Sequence, residues 1–355
     1  MSIEQRKRDH IDLCATDDVR FRGETTLLEG VHFEHNSLPE LSHEEIDLSV
    51  TILGKKLRLP LFVSGMTGGT EKATKINHLL ARMAEAHGIG FGVGSQRAMA
   101  VSPALGETFK VRQVAPTTLL LGNIGVVQAR TLGLDALKRL VADIGADAFC
   151  VHLNPAMELI QTKGDRDFRG GYETVGSLVR ELDVPVVVKE TGCGMSETVL
   201  KRLRDIGVEH VDVAGAGGTS WVGVETLRAT SAEDARKQKI GTLLWDWGVP
   251  TAVSTHYAAK RGFKTVISSG GIQNGLDVAR AIRLGASACG IARRFLQLAL
   301  AEDEGAIAEE IATIEETLRA ICVLTGSRSI KELSTAPARI RGELHARIAA
   351  NPVLP

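Results

Sequence analysis

The sequence predicts an α/β protein of the (β/α)8 TIM-barrel class, with an N-terminal extension and C-terminal helices. Eight short apolar runs follow one another between residues 59 and 299, and each is apolar throughout, as in strands covered on both faces. Amphipathic segments such as 275–286 separate most of these runs. An open, doubly wound sheet is the alternative, but eight units in series close more naturally than they stay open.

The predicted strands are, in chain order, 59–66, 88–95, 117–125, 148–154, 184–190, 210–217, 264–271 and 286–293. We expect a single domain over 1–355, in which residues 1–58 form an N-terminal cap, with a hairpin near 46–57. Residues 59–299 would form the barrel and residues 300–355 C-terminal helices. The long helix of that last part is predicted from helically spaced apolar residues, followed by a short polar tail: Ile307, Ile311, Ile314, Leu318 and Ile321.

One connection is longer than an ordinary loop between a strand and a helix. It runs from 219 to 250 and contains Trp221, Trp245 and Trp247. An insertion at this rim of a barrel commonly covers the substrate or forms a subunit contact.

Charge and composition exclude several classes of partner. The 355 residues contain 42 Lys+Arg and 43 Asp+Glu, so a net charge of -1 gives no overall attraction for nucleic acid or an anionic membrane. No run approaches the ~20 apolar residues that span a bilayer. Five separated cysteines without a C-x-x-C pair indicate neither a disulfide framework nor a zinc site. We therefore expect a cytoplasmic protein.

The predicted strands end in small and polar residues, which is where barrels of this class place their chemistry. Glycine clusters within 214–218, 270–271 and 290 follow strands six to eight, and their N–H groups can bind a phosphate. The helix that begins near Asn274 would add its positive end. A cofactor with a terminal phosphate fits, and FMN fits best. Ser95, Asn123 and Lys189 would then face the flavin ring, where a lysine stabilises the anionic reduced form.

Three further features each allow two interpretations. Arg6, Lys7 and His10 lie within about one helical turn and could bind a second anion, or could form a solvated basic tail. Glu158 could be a Mg²⁺ ligand or a solvated loop carboxylate. His152 alone is more often structural than catalytic.

In its motifs the chain resembles the FMN-dependent type 2 isopentenyl-diphosphate Δ-isomerases. The shared motifs extend over nearly the whole chain, in the same order, and include RKRDHI (6–11), SGMTGG (64–69), GVGSQR (92–97), GNIG (122–125), HLNP (152–155), GDRDFRG (164–170), VVVKETGCGMS (186–196), AGAGGTSW (214–221) and GIAR (290–293). The resemblance implies interconversion of isopentenyl and dimethylallyl diphosphate, with reduced FMN as the acid–base group. It also implies Mg²⁺ on the diphosphate, NAD(P)H to reduce the flavin, and a homotetramer or homo-octamer.

The resemblance also implies roles for individual residues. His152, Asn154, Met157 and Lys189 would lie at the reacting centre, and Glu158 would bind the metal. FMN would be held by Met66, Thr67, Ser95, Asn123, Lys189, Thr219, Ser220, Gly270, Gly271 and Ala292. The diphosphate would be held by Arg6, Lys7, His10, Arg97, His152 and Asn154.

Three positions depart from the family pattern. Met157 stands where the family has a glutamine, and its sulfur has no transferable proton. Gln273 replaces an arginine near the FMN phosphate, and Arg294, where proline is usual, could restore that charge. Met157 and Gln273 favour an alternative, an FMN-binding member with altered or lost isomerase activity. A 2-hydroxy acid oxidase is a further alternative, but the stretch 214–221 lacks the His base and Arg that such enzymes place after strand six.

Overall fold

A computed structural model describes residues 3–16, 18–229 and 234–349 of the chain. Its strands are β1 (Val31–Phe33), β2 (Val50–Ile52), β3 (Lys55–Leu57), β4 (Leu61–Val63), β5 (Gly90–Gly92), β6 (Leu120–Gly125), β7 (Ala148–His152), β8 (Val186–Lys189), β9 (His210–Asp212), β10 (Thr265–Ser269), β11 (Ala288–Ile291) and β12 (Ala338–Ile340). Its helices are α1 (Ile3–Ala15), α2 (Glu71–His87), α3 (Arg97–Val101), α4 (Val126–Leu132), α5 (Leu134–Ile144), α6 (Pro155–Ile160), α7 (Gly171–Glu181), α8 (Glu197–Asp205), α9 (Trp221–Arg228), α10 (Ala235–Leu243), α11 (Thr251–Lys260), α12 (Gly275–Arg283), α13 (Arg293–Leu300), α14 (Glu304–Thr325), α15 (Ile330–Leu333) and α16 (Gly342–Ala349). Short 3-10 helices span Leu28–Gly30, His43–Glu45 and Pro103–Phe109.

Strands β4 to β11 form a closed, all-parallel barrel in chain order, and β11 pairs with β4 to complete it. The fold class predicted from the sequence is therefore confirmed. Each predicted run contains one barrel strand, but the strands are shorter than the runs. The remaining residues of each run lie before or after the strand, and those that follow it enter the rim loops at the carboxyl end of the barrel.

A β-hairpin covers the amino end of the barrel, which confirms the hairpin expected near 46–57. Strands β2 and β3 pair antiparallel, and the two residues between them, Leu53 and Gly54, have φ values of 51° and 82°. Positive φ at both positions matches the tight turn that suits the twist of paired strands. Ile52 and Leu57 pack against the apolar interior of the barrel, so the hairpin excludes water from that end.

The C-terminal region packs on the outside of the barrel and then returns to the N-terminal extension. Helix α14 packs against α12 and α2, and four of its five predicted apolar positions are buried. The fifth, Ile321, is half-buried, and the neighbouring Cys322 takes the inward position. The expected short polar tail is wrong up to residue 349, since α15, β12 and α16 follow and β12 pairs with β1. Apolar residues such as Leu333 and Leu344 are buried there.

The carboxyl end of the barrel is covered by two consecutive N-terminal segments, which pack on loops and helices far along the chain. Helix α1 packs against α9 and α13, and residues 18–26, here called the strap, cross the loops after β9 and β10. In the described ranges, none of the helices is both long and apolar enough to cross a bilayer.

Candidate active site

A cavity of about 750 Å³ opens at the carboxyl ends of the barrel strands. Nearly all the residues predicted from the sequence line it: Arg6, Lys7, His10, Met66, Thr67, Ser95, Arg97, Asn123, His152, Asn154, Met157, Glu158, Lys189, Thr219, Gly270, Gly271 and Ala292. They come from α1 and from the rim loops. Closing the barrel brings residues that are far apart in sequence around one space.

Ser220 is the predicted site residue that does not line the cavity. Its side chain is buried, its hydroxyl donates to the carbonyl of Trp245 at 2.6 Å, and the same oxygen accepts from the Gly223 N–H at 2.9 Å. The Ser220 hydroxyl therefore caps the N-terminus of helix α9 and links the 219–250 insertion to the rim. The family resemblance had instead implied that Ser220 holds the cofactor.

The glycine-rich loops after β9 and β10 approach each other backbone to backbone. A Cβ added to Gly218 would lie 2.4 Å from the backbone nitrogen of Gly271, so any side chain there would separate the loops. Among the described residues, the N–H groups of Gly270, Gly271 and Ile272 have no hydrogen-bond partner. Free backbone donors at the wall of a cavity form an anion-binding surface.

Gly217, in the loop after β9, is required for a different reason. Gly217 has φ 110°, and a Cβ there would lie 2.2 Å from the backbone nitrogen of Thr26 in the strap. This glycine therefore makes room for the strap, which the sequence did not predict to lie here. The N-terminus of the helix after β10 is capped by its own side chains, and one first-turn donor, the Asp277 N–H, is already occupied. Asn274 accepts from the Asp277 N–H, and Asp277 accepts from the Gln273 N–H.

Three polar residues, Asn123, His152 and Lys189, form the floor of the cavity. His152 Nδ1 lies 2.9 Å from the Asn123 Oδ1 atom, and the Asn123 amide nitrogen donates to the Val93 carbonyl. Because that donor fixes the orientation of the amide, the proton between the two side chains belongs to His152 Nδ1. Burial, with the nearby cations Lys189, Lys7 and Arg97, lowers the pKa of His152 to about 3. His152 is thus neutral, and its Nε2 is a hydrogen-bond acceptor.

Glu158 lies at the side of the cavity and is almost fully buried. One carboxylate oxygen accepts from the Asn154 amide at 3.1 Å, and the other accepts from the Gln161 amide and from the Asp165 N–H. Burial raises the pKa of Glu158 despite these donors. No group of three or more His, Cys, Asp or Glu side chains suited to a metal occurs in the described part of the chain. Glu158 could thus serve a metal only together with oxygen atoms of a ligand and water.

The basic residues of α1 reach the cavity beside Arg97. Burial and the charges of Arg6 and Arg97 lower the pKa of Lys7 to about 8. Crowding of like charges in a half-buried place indicates a site for a multiply charged anion. His10 is already engaged, because its Nε2 lies 2.7 Å from the buried carboxylate of Glu225.

None of the site residues predicted from the sequence lies in the strap, yet Arg20, Thr25 and Thr26 of the strap line the cavity. The strap is fastened by the Trp245 indole N–H, which donates to the carbonyl of Arg20 at 2.8 Å, and by backbone bonds to the loop after β9. No periodicity marks residues 18–26, so no pattern in the sequence could have placed them here.

Comparison with known proteins assigns the family. The profile of the FMN-dependent dehydrogenases matches residues 2–154 and 151–339. Curated relatives named isopentenyl-diphosphate delta-isomerase include one from Nostoc sp., 43% identical over 93% of this chain and 94% of its own length. Another, from Methanothermobacter thermautotrophicus, is 42% identical over 96% of this chain and 94% of its own length. The chain belongs to this isomerase family.

Solved structures agree with this assignment at the level of the fold. A crystal structure of mandelate oxidase with (S)-2-phenylpropionate has a TM-score of 0.65 and 19% identity, covering 95% of this chain and 96% of that chain. At this identity, the likeness shows a common barrel.

The positions expected to depart from the family pattern lie in or beside the cavity. The Met157 sulfur is 3.8 Å from the Asn154 amide nitrogen, which also donates to Glu158. Gln273 lines the cavity where the sequence lacks the arginine of the family pattern. Arg294 is paired with Glu310 on α14 at 2.7 Å, so its charge is already balanced outside the phosphate-binding loops.

Proposed function

We propose that this protein interconverts isopentenyl diphosphate and dimethylallyl diphosphate with reduced FMN, with Mg²⁺ on the diphosphate and NAD(P)H as reductant of the flavin. The observation that best supports this function is that one cavity combines two anion-binding surfaces. One is formed by the free N–H groups of the glycine loops, and the other by the cations Arg6, Lys7 and Arg97. A flavin phosphate and a substrate diphosphate require two such surfaces facing one reaction space.

The residues present fit FMN. The Thr67 hydroxyl is buried at the cavity without a hydrogen-bond partner in the described chain, and the loops at Gly218 and Gly271 leave no room for side chains. The proposed cofactor ligands are Met66, Thr67, Ser95, Lys189, Thr219, Gly270, Gly271 and Ala292, while Asn123 supports His152 from below. When bound, reduced FMN supplies a group that can give and take a proton at the isoprenoid carbons.

The protein residues bind and orient the substrate. Arg6, Lys7 and Arg97 would neutralise the diphosphate by charge-assisted hydrogen bonds. Neutral His152 offers only an acceptor at Nε2, so it would orient a group that carries a proton instead of adding positive charge. Asn154 keeps Met157 and Glu158 in place through its amide. Lys189 holds positive charge at the floor, and α1 with the strap limits entry of water.

Glu158 is the proposed metal-binding residue. Removal of its charge by Glu158→Gln keeps the buried shape but weakens attraction for a cation. We expect activity to need a several-fold higher Mg²⁺ concentration at half-saturation, with little change in FMN binding. Glu107→Gln, an exposed carboxylate variant away from the cavity, is the control. Identical metal titrations for all three proteins would remove Glu158 from the metal site.

A homotetramer or homo-octamer and a cytoplasmic location complete the proposal. The assembly is what the family resemblance implies, and the location is the expectation drawn from the composition. Sedimentation equilibrium of the purified protein tests the assembly, and a monomer at micromolar concentration would contradict it.

The decisive experiment is anaerobic. Purified protein is expected to be yellow, to lose flavin absorbance with NADPH, and then to convert isopentenyl diphosphate to dimethylallyl diphosphate when Mg²⁺ is added. A yellow protein that forms no product would favour the alternative, a family member with altered or lost activity, to which Met157 and Gln273 point.

A 2-hydroxy acid oxidase remains disfavoured by residue chemistry. The loop from 214 to 221 contains neither histidine nor arginine, and the neutral His152 lies instead at the end of β7. Mandelate or lactate should therefore leave the oxidised flavin spectrum unchanged.

A further inference from the structure

Beneath Lys189, at the floor of the cavity, lies a buried carboxylate that has no part in the proposed function. Asp212 ends β9, next to Lys189 at the end of β8, and its Oδ2 is 4.0 Å from Lys189 Nζ. The Lys189 and Asp212 side chains are only 12% and 7% exposed. A carboxylate so deeply buried is retained where it balances a neighbouring charge.

Asp212 is itself firmly held. Its Oδ1 accepts from the Ser269 hydroxyl at 2.6 Å and from the Ala214 N–H at 3.2 Å. Ser269 ends β10, so three adjacent barrel strands contribute the chain Ser269, Asp212 and Lys189. Burial raises the pKa of Asp212, whereas the Lys189 charge and these donors oppose that effect.

Packing alone does not hold the ammonium in place. A second, internal cavity of about 20 Å³ borders Lys189, Asp212 and Cys150, with apolar side chains around much of the rest. Nζ donates to the Glu190 carbonyl at 2.5 Å, and Oε2 of the Glu190 carboxylate accepts from the N–H groups of residues 191–193. The Lys189 charge acts on both buried carboxylates, Glu190 and Asp212, and its ion pair at 4.0 Å is with Asp212.

We propose that Asp212, held by Ser269, is a positioning residue that keeps the Lys189 ammonium directed into the cofactor cavity. The inference rests on the proposed FMN binding. It predicts that Asp212 affects the flavin only through Lys189. A merely structural role would affect flavin binding whether or not the lysine is present.

A double-mutant cycle with FMN affinity as readout tests the proposal. The Kd for FMN is measured by quenching of flavin fluorescence in wild type, Asp212→Asn, Lys189→Met and the double variant. Asp212→Asn should weaken binding about tenfold when Lys189 is present and less than about twofold in the Lys189→Met background. Ser269→Ala should show a smaller loss with the same dependence on Lys189, and serves if Asp212→Asn does not fold.

Asp147→Asn is the matched control, because Asp147 pairs with Lys55 at 2.7 Å near the opposite end of the barrel. Its FMN affinity should equal that of wild type. Equal losses from Asp212→Asn in both backgrounds would overturn the proposal and leave FMN binding intact. Wild-type protein that binds no FMN would overturn the proposed function, and this inference with it.

Discussion

At the scale of single residues, burial changes the chemistry of the site more than residue type does. His152 would be half-protonated near its ordinary pKa, but burial among three cations keeps it neutral. Lys7 is ordinarily charged up to high pH, yet its pKa of about 8 brings its titration close to physiological conditions. Both shifts arise because charged forms lose water and face like charges inside the cavity.

The Lys7 shift predicts a pH-dependent KM. Below pH 8 the ammonium is charged and attracts the diphosphate; above pH 8 it loses its proton, so KM for isopentenyl diphosphate should rise. Lys7→Arg keeps its charge throughout, since guanidinium does not deprotonate in this range. The KM of the variant should therefore stay flat between pH 7 and 9.5, measured with constant Mg²⁺. The same rise in both enzymes would assign the titration to another group.

Met157 predicts a gain of activity by substitution. Its sulfur is a weak acceptor without a transferable proton, whereas an amide at this place could donate to or accept from the substrate. We expect Met157→Gln to raise kcat several-fold, with Met157→Leu close to wild type as the control for shape. Initial rates of dimethylallyl diphosphate formation measure this. An unchanged or lower kcat in Met157→Gln would show that the position has been adapted to another purpose.

At the scale of elements, the proposed binding of the diphosphate by Arg6 and Lys7 depends on how α1 docks on α9. Glu225 on α9 is buried and accepts from Arg228 and pairs with His10, and Arg228 also reaches Asp9 at 3.3 Å. The His10 ring meets Trp221 edge-on at 5.1 Å between ring centroids. Helix α1 has a polar sequence, so these contacts supplement its few buried apolar residues, such as Ile11.

Glu225→Gln should release α1 without disturbing the cofactor loops. Removal of the buried anion leaves Arg228 with Asp9 but without its charged partner on α9, and it weakens the contact between His10 and residue 225. Breaking a buried pair of this kind typically costs roughly 3–5 kcal/mol. We expect faster tryptic cleavage between residues 6 and 8 and about a tenfold higher KM, as expected for a loss of roughly 1.4 kcal/mol in substrate binding. FMN affinity should be unchanged. If FMN affinity falls while KM rises, the docking of α1 is not independent of the cofactor loops.

At the scale of the whole molecule, the two ends of the barrel differ. The amino end is covered by apolar side chains, and the carboxyl end opens into the polar cavity. The hairpin of β2 and β3 places Ile52 and Leu57 under the interior, so that end is dry and apolar. At the opposite end, glycines, amide side chains and charged side chains stand in place of apolar residues. This asymmetry separates the residues that stabilise the fold from those proposed to act on a substrate.

Ile52→Ala should destabilise the entire barrel. The side chain is 3% exposed, and loss of a buried isoleucine to alanine costs roughly 2–5 kcal/mol through lost burial and a residual cavity. Thr51→Ala, on the exposed face of the same hairpin, should change the free energy of unfolding by less than about 0.5 kcal/mol. Urea denaturation followed by circular dichroism compares the two. Equal stabilities would show that the hairpin is not part of the cooperative core.

The sequence by itself determined the barrel, its strand order and most of the cavity wall, because continuous apolar runs and the polar residues that end them are local patterns. It also located Lys189 at a strand end. Tertiary structure alone placed the strap over the glycine loops, turned Ser220 to a helix cap, engaged His10 with Glu225 and set Asp212 beneath Lys189. These outcomes depend on contacts between distant segments, and on the loss of water around charges there, which no local pattern records.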